Sequence, residues 1–210
     1  MLLTRIVFNF TSSFEMAVLW WTCLISLLGF IHCYVNLCTT KTNVQATQSS
    51  THLTQNAALV IDSNVQQNYG NCAHTKADQP SPAWVKVDLG GIYSLSYVVI
   101  YYRNERNWKP YRFRNYHLNV SKTSDSEGIR CYTDVTPDTK VPNDTQTIFC
   151  KEQARYVIIE TNYDTPNDSA NGPILEICEI EVYGCDIGRY GQGCNRCVGC
   201  SNCDVNTGIC

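Results

Sequence analysis

Six of the thirteen cysteines crowd into the last 26 residues, as Cys185, Cys194, Cys197, Cys200, Cys203 and Cys210. A segment that short cannot bury a core of its own, so covalent bridges must hold it. The remaining seven are sparse. Cys23, Cys33 and Cys38 lie in the first 38 residues, and Cys72, Cys131, Cys150 and Cys178 lie between 39 and 184. Such a distribution points to an oxidising compartment and a stapled C-terminal module. The C-x-x-C spacing from Cys194 to Cys203 has the outward form of a metal or iron–sulfur cradle. The oxidising setting, the even count of six and the lack of a proline after Cys203 favour disulfides instead.

A length of 210 residues accommodates one ordinary domain plus that module. With 44% apolar residues and 13 Tyr, 4 Trp and 6 Phe, the chain has ample core material, which excludes intrinsic disorder. A net charge of −3 argues against a nucleic-acid partner. From Ala17 to Ile31 the chain runs without a charge. That is short of the ~20 residues a spanning helix needs and suits a signal-peptide core. Residues 1–37 are therefore read as a signal peptide, with Met16 as an alternative start that makes 1–15 an upstream extension. The expected location is secreted, or the extracellular face of the plasma membrane if the segment stays uncleaved or a further C-terminal region supplies an anchor. Sequons at Asn119, Asn143 and Asn167 agree with that topology.

From about residue 42 to 184 the texture is β. Trp84–Leu89, Leu118–Ser121 and Glu176–Gly184 alternate apolar and polar residues, and Tyr97–Tyr102 and Tyr156–Glu160 are short apolar runs. Clusters at 88–91, 136–139, 166–169 and 171–173 read as turns. The expected class is all-β, an antiparallel sandwich, followed by the small module at 185–210. The four cysteines of this region allow two bridges in three connectivities.

The runs NVQATQSS (43–50), ALVID (58–62), CAHT (72–75), the segment from Pro82 to Arg103 and ICEIEVYG (177–184) resemble the F-type lectin, or fucolectin, domain. The resemblance covers about 140 residues and implies a jelly-roll sandwich of the galactose-binding, discoidin-like class. It also implies bridges Cys72–Cys178 and Cys131–Cys150. Members recognise fucose with a histidine, an R-x-D and a further basic residue. Here these are His74, Arg103 with Glu105 in place of Asp, and Arg112, with Lys109 as the rival. Two guanidinium groups and an imidazole present fixed donors to sugar oxygens, and the carboxylate orients the first arginine. Family members often have a cysteine pair after R-x-D; this chain has Arg106-Asn107, leaving Trp108, Tyr111 or Tyr69 to supply an apolar wall. The bland alternative is a surface histidine and a solvated basic loop spanning Arg103, Arg106, Lys109, Arg112 and Arg114; such a loop also suits anionic glycans. The resemblance further implies a structural Ca²⁺ held by Leu59, Asp62, Asn64, Asn71, Cys178 and Glu179, a mixture of carboxylate, amide and backbone oxygens suited to a hard cation.

The pattern C-x-x-G-x-Y-G-x-x-C (185–194) with D-x-x-T-G-x-C (204–210) resembles the EGF-like repeats of multi-EGF scavenger receptors and reads as the start of an array. His52, His74 and His117 sit in no catalytic motif, so no enzyme is expected. The expected function is calcium-dependent recognition of fucosylated or other cell-surface glycans, of an innate-immune or scavenger kind. The alternative is a discoidin-like adhesion module that binds protein rather than sugar. Cys38, unpaired on this reading, would favour an intermolecular bridge and hence an oligomer.

Overall fold

One strand organises the molecule. In the computed structural model, which describes residues 34–79, 81–124, 128–166 and 168–210, β4 runs unbroken from Ala83 to Tyr102. It is preceded by β1 (Val35–Asn36), the single helical turn α1 (Leu37–Thr40), β2 (Gln45–Gln48) and β3 (Ala73–His74). It is followed by β5 (Tyr116–Ser121), β6 (Ile129–Thr133), β7 (Thr145–Phe149), β8 (Gln153–Thr161) and β9 (Glu176–Asp186). Every pairing among them is antiparallel. The first half of β4 lies between β2 and β8, and β8 continues to β5 and β6. The second half lies between β7 and β9. A single strand thus serves both layers of a galactose-binding-like sandwich.

The sequence suggested a turn at 88–91 separating two strands. The structure instead bends one strand there, with a register shift between Asp88 and Tyr93. Gly90 makes the bend possible with φ +75°, and a Cβ on it would lie 3.0 Å from Asn43. The Asp88 carboxylate accepts from the Gly90 amide at 2.8 Å and is clamped by Arg155 at 2.7 and 2.8 Å. Between the layers, Val85, Val87, Val98, Ile100, Leu118, Val157, Ile159, Ile180 and Val182 are all buried in one core. Tyr102, Phe113 and Tyr116 stack through it at centroid spacings of 4.3 and 4.1 Å. The strands β6 and β7 carry no clear alternation in the sequence, because most of their residues, apolar ones such as Ile129 and Phe149 included, stay exposed or half-buried.

Two bridges brace the sandwich. Cys72–Cys178 ties the start of β3 to β9, and Cys131–Cys150 links β6 to the residue after β7. The C-terminal segment carries Cys185–Cys194 and two interleaved bridges, Cys197–Cys203 and Cys200–Cys210, with a small hairpin of β10 (Arg189–Tyr190) and β11 (Asn195–Arg196). No linker precedes it, since β9 runs through Gly184 and Cys185 to Asp186. Gly184 passes so close to β4 that a Cβ would fall 2.4 Å from the Ser94 carbonyl oxygen.

Among the described residues, packing against the sandwich extends back to Tyr34, ahead of the expected boundary at 42. Tyr34, Leu37 and Cys38 are buried. The Tyr34 hydroxyl lies 2.6 Å from Asn206 Oδ1 and 3.2 Å from the Val205 carbonyl, and its ring joins Cys185 and Val205 in a second apolar cluster. The expected signal peptide thus lies outside the described residues up to Cys33, while its last four positions, 34–37, form part of the sandwich. Cys38 is a free, buried thiol, so the expected intermolecular bridge has no accessible sulfur. Burial pushes its pKa up to about 12, despite the Val182 backbone, so the reactive thiolate is suppressed. Alkylation of the native protein at pH 8 is therefore expected to leave Cys38 unmodified, with labelling only after denaturation, as read by peptide mass mapping.

The sequons separate on burial. Asn119 is 5% exposed in mid-strand; its amide donates to Glu160 at 2.7 Å and accepts from Arg130 at 3.2 Å. Asn143 is exposed in the approach to β7, and Asn167 lies outside the described residues. In protein secreted from a eukaryotic host, Asn143→Gln should remove one glycan mass, whereas Asn119→Gln should leave the glycan profile unchanged.

Candidate functional site

The register of β3 against β9 places His74 directly opposite Glu176, just beyond the Cys72–Cys178 bridge. Their side chains meet at 2.8 Å, His74 Nε2 to Glu176 Oε1, while His74 Nδ1 lies 2.6 Å from the Thr75 carbonyl. Arg103 leaves the end of β4; its backbone N–H donates to the Glu176 carbonyl at 3.0 Å and its Nη1 to Glu176 Oε1, also at 3.0 Å. Trp108 Nε1 donates to Glu176 Oε2 at 2.8 Å, the Tyr102 hydroxyl donates there at 3.2 Å, and Arg112 Nη1 stands 3.5 Å away. Glu176 is fully buried and receives all five. Burial alone would raise its carboxyl pKa; His74 and the two arginines outweigh that and hold it low.

A second layer fixes the arginines. Glu105 Oε1 accepts from Arg103 Nε at 2.7 Å and from Nη2. The Arg103 guanidinium lies between the Trp108 ring, 3.2 Å from its centroid, and the Tyr69 ring at 4.6 Å. Asp168 accepts from both Arg112 Nε and Lys109 Nζ. Of the two rivals for the second basic position, only Arg112 also reaches Glu176. His52 stacks on His74 at 4.5 Å, and Tyr69 meets the His74 ring edge-on at 6.3 Å. Burial and the neighbouring His74 both lower the pKa of His52.

The expected sugar residues His74, Arg103, Glu105 and Arg112 are therefore brought together. The basic loop is only in part solvated: Arg106 is exposed, but Arg103, Arg112 and Arg114 are 6%, 7% and 4% exposed, and Arg114 points elsewhere, to the carbonyls of Asp138 and Lys140. Sequence reasoning missed Glu176, Asp168 and His52. Only the cross-strand register reveals Glu176, because in the sequence it sits unremarked inside an apolar run. Among the described residues Arg103 commits Nε and one hydrogen each of Nη1 and Nη2, leaving two N–H groups for a ligand.

The proposed ion ligands also converge. Leu59 lies in the 3-10 turn Ala57–Ile61, and Asp62 caps it. The Asp62 carboxylate accepts from the Asn64 amide at 2.9 Å, and Asn64 Nδ2 donates to Asn71 Oδ1 at 3.1 Å. Cys178 and Glu179 face them from β9, whose strand packs against the 3-10 turn. Glu179 is fully buried; the Asp62 and Ser63 backbone amides approach it, but neither carboxylate oxygen has a partner in good hydrogen-bond geometry among the described residues. Burial, reinforced by Asp62 and Glu181, pushes its pKa up to about 8. An orphaned carboxylate beside a second carboxylate and amide oxygens fits a hard cation. No group of three or more His, Cys, Asp or Glu side chains gathers for a metal among the described residues, so such a site must draw on carbonyl and amide oxygens.

Residues 59–159 match the family model of the F5/F8 type C, NedA-like, galactose-binding domain. No curated protein matches the chain in sequence. Among solved structures, a fucose binding module of Streptococcus pneumoniae is 26% identical over 71% of this chain and 97% of its own, with a TM-score of 0.56. The lectin domain of lectinolysin, complexed with Lewis B antigen, is 27% identical over 71% of this chain and 96% of its own, with a TM-score of 0.57. The fucolectin of striped bass (Morone saxatilis) serum shares the fold at 24% identity, covering 72% of this chain and 49% of its own, with a TM-score of 0.57. The chain thus has a galactose-binding-like fold, with fucose-binding modules among its structural neighbours.

The ion pairs of the site have a pH consequence. Burial works against ionisation of Asp168, but the hydrogen bonds from Arg112 and Lys109 prevail and hold its pKa well below the usual carboxylate range. A depressed folded-state pKa stabilises the protein above the unfolded value of about 4 and ceases to do so as pH falls through the acid range. The melting temperature should therefore fall as pH drops below about 4. Asp168→Asn should lose about 2 kcal/mol at pH 7 and show a shallower acid limb in the same thermal scans.

Proposed function

We propose that this chain is an extracellular, non-enzymatic carbohydrate-binding protein that recognises fucose-type glycans. The convergence of His74, Arg103 and Arg112 beside the faces of Trp108 and Tyr69 carries this reading. A deoxyhexose offers hydroxyls to donors and a methyl group to an apolar wall, and the cluster supplies both kinds of surface. Arg103 and Arg112 donate to sugar oxygens, Glu105 and Asp168 orient them, and the aromatic rings exclude water. The fucose-binding modules of similar fold support the ligand class. Such a ligand suits an innate-immune or scavenger role, with the bridged segment 185–210 acting as an EGF-like repeat.

We further propose a structural Ca²⁺ held by Asp62 and Glu179 together with oxygens of Leu59, Asn64, Asn71 and Cys178. The ion would neutralise the buried Glu179 carboxylate and lock the 57–72 segment against β9, and that segment carries the approach to His74.

Two measurements test this reading on the secreted protein. On a glycan array with Ca²⁺, binding to fucosylated glycans should appear, and His74→Ala or Arg103→Ala should weaken it by about 10- to 100-fold, the worth of hydrogen bonds to charged groups. Binding that survives both changes moves the site elsewhere, and no binding to any glycan favours the adhesion reading. Chelation should lower the melting temperature of the wild type, and Asp62→Ala should abolish that sensitivity; an unchanged melting curve removes the ion.

A further inference from the structure

We propose that Glu176 is the charge filter of this site, turning a ready-made anion receptor into one that rejects anions and admits uncharged saccharides. The proposal rests on the reading of the site as a sugar site.

Five donor groups from three parts of the fold, His74 Nε2, Arg103 Nη1, Arg112 Nη1, Trp108 Nε1 and the Tyr102 hydroxyl, surround two oxygens within 2.8–3.5 Å. That donor set is what a sulfate or carboxylate ligand requires. The protein fills it with its own fully buried carboxylate. Around it the three basic side chains of the 103–112 segment that reach the cluster are each matched: Arg103 with Glu105 and Glu176, Arg112 with Asp168 and Glu176, and Lys109 with Asp168. Three carboxylates balance these three cations, so they bring no net positive charge to a ligand. An incoming sulfate ester would face the Glu105 carboxylate and the field of the buried Glu176, in surroundings where charges are poorly screened. A hydroxyl meets no such barrier. It can accept from the N–H groups that Arg103 has uncommitted and donate to a carboxylate lone pair, whereas an anion can only accept.

Glu176→Gln keeps the volume and one carbonyl oxygen while removing the charge. The test uses immobilised heparin and matched neutral and sulfated fucosylated glycans, at 50 and 500 mM NaCl as roughly threefold different screening lengths. Wild type should pass through heparin and bind the neutral glycan with less than about a twofold change between the two salts. Glu176→Gln should bind heparin and the sulfated glycan at least about tenfold more tightly than wild type, and release them in high salt. Glu105→Gln, at a carboxylate whose side chain is 32% exposed, should shift preference the same way by less, and it carries the test if Glu176→Gln does not fold. Wild type that binds sulfated and neutral glycans alike, or folded variants that gain nothing on heparin, would overturn the filter. A wild type blind to every glycan, with the variant captured by heparin, upholds the filter and overturns only the reading of the ligand.

Discussion

The antiparallel pairing of β9 with β4 sets the position of nearly everything else. From Tyr93 to Tyr102, β4 is hydrogen-bonded along β9, and the register shifts where Tyr101 faces Glu179 but Tyr102 faces Ile177. The extra residue in that bulge is Cys178, the cysteine that bridges to Cys72. Because of the shift, Ile177 and Ile180 both reach the core although they are three residues apart. The same eleven residues supply Glu176 to the cationic cluster, Glu179 to the proposed ion cage and Cys185 to the C-terminal module. A slip of one residue would move each of these to the wrong face.

The cluster around Glu176 shows why such a site needs a rigid frame. Each buried ion loses several kcal/mol of hydration, which only well-placed partners repay. Here the partners come from distant segments, β3, the end of β4, the 103–115 loop and Asp168, and each is tied separately to the sandwich. The bridge at Cys72 fixes β3, and the Arg103 amide bonds the Glu176 carbonyl. The rings of Trp108 and Tyr69 both pack against the Arg103 guanidinium. Such a site is organised before any ligand arrives, so little ordering entropy remains to be lost on binding.

Much of this was legible in the sequence where a residue type carries its own signature. Alternation exposed the first half of β4, β5 and β9, short apolar runs exposed the second half of β4 and β8, and the motif order pointed to His74, Arg103, Glu105 and Arg112 as one group. Strands β6 and β7 carried no such signal, since most of their side chains stay exposed or half-buried and the two strands are tied together by the Cys131–Cys150 bridge. The glycine pair after Asp88 looked like a turn because glycine permits both a reversal and a bulge, and only the pairing partners on either side decide between them. Residues 34–37 read as the end of the leader because their burial depends on Val205 and β9, more than 140 positions away.

The sequence by itself determined the class of the molecule: an all-β chain with export-compatible cysteines, a stapled C-terminal segment and a family-like set of basic residues. The first three follow from composition and local periodicity and the last from a resemblance in motif order, all of them properties of neighbours along the chain. The tertiary structure alone decided that Arg103 and Arg112 are paired with carboxylates, that Cys38 is sealed and that Asn119 is unavailable while Asn143 is exposed. Charge balance and burial are properties of neighbours in space. Glu176 meets His74 only because two strands a hundred residues apart share a register.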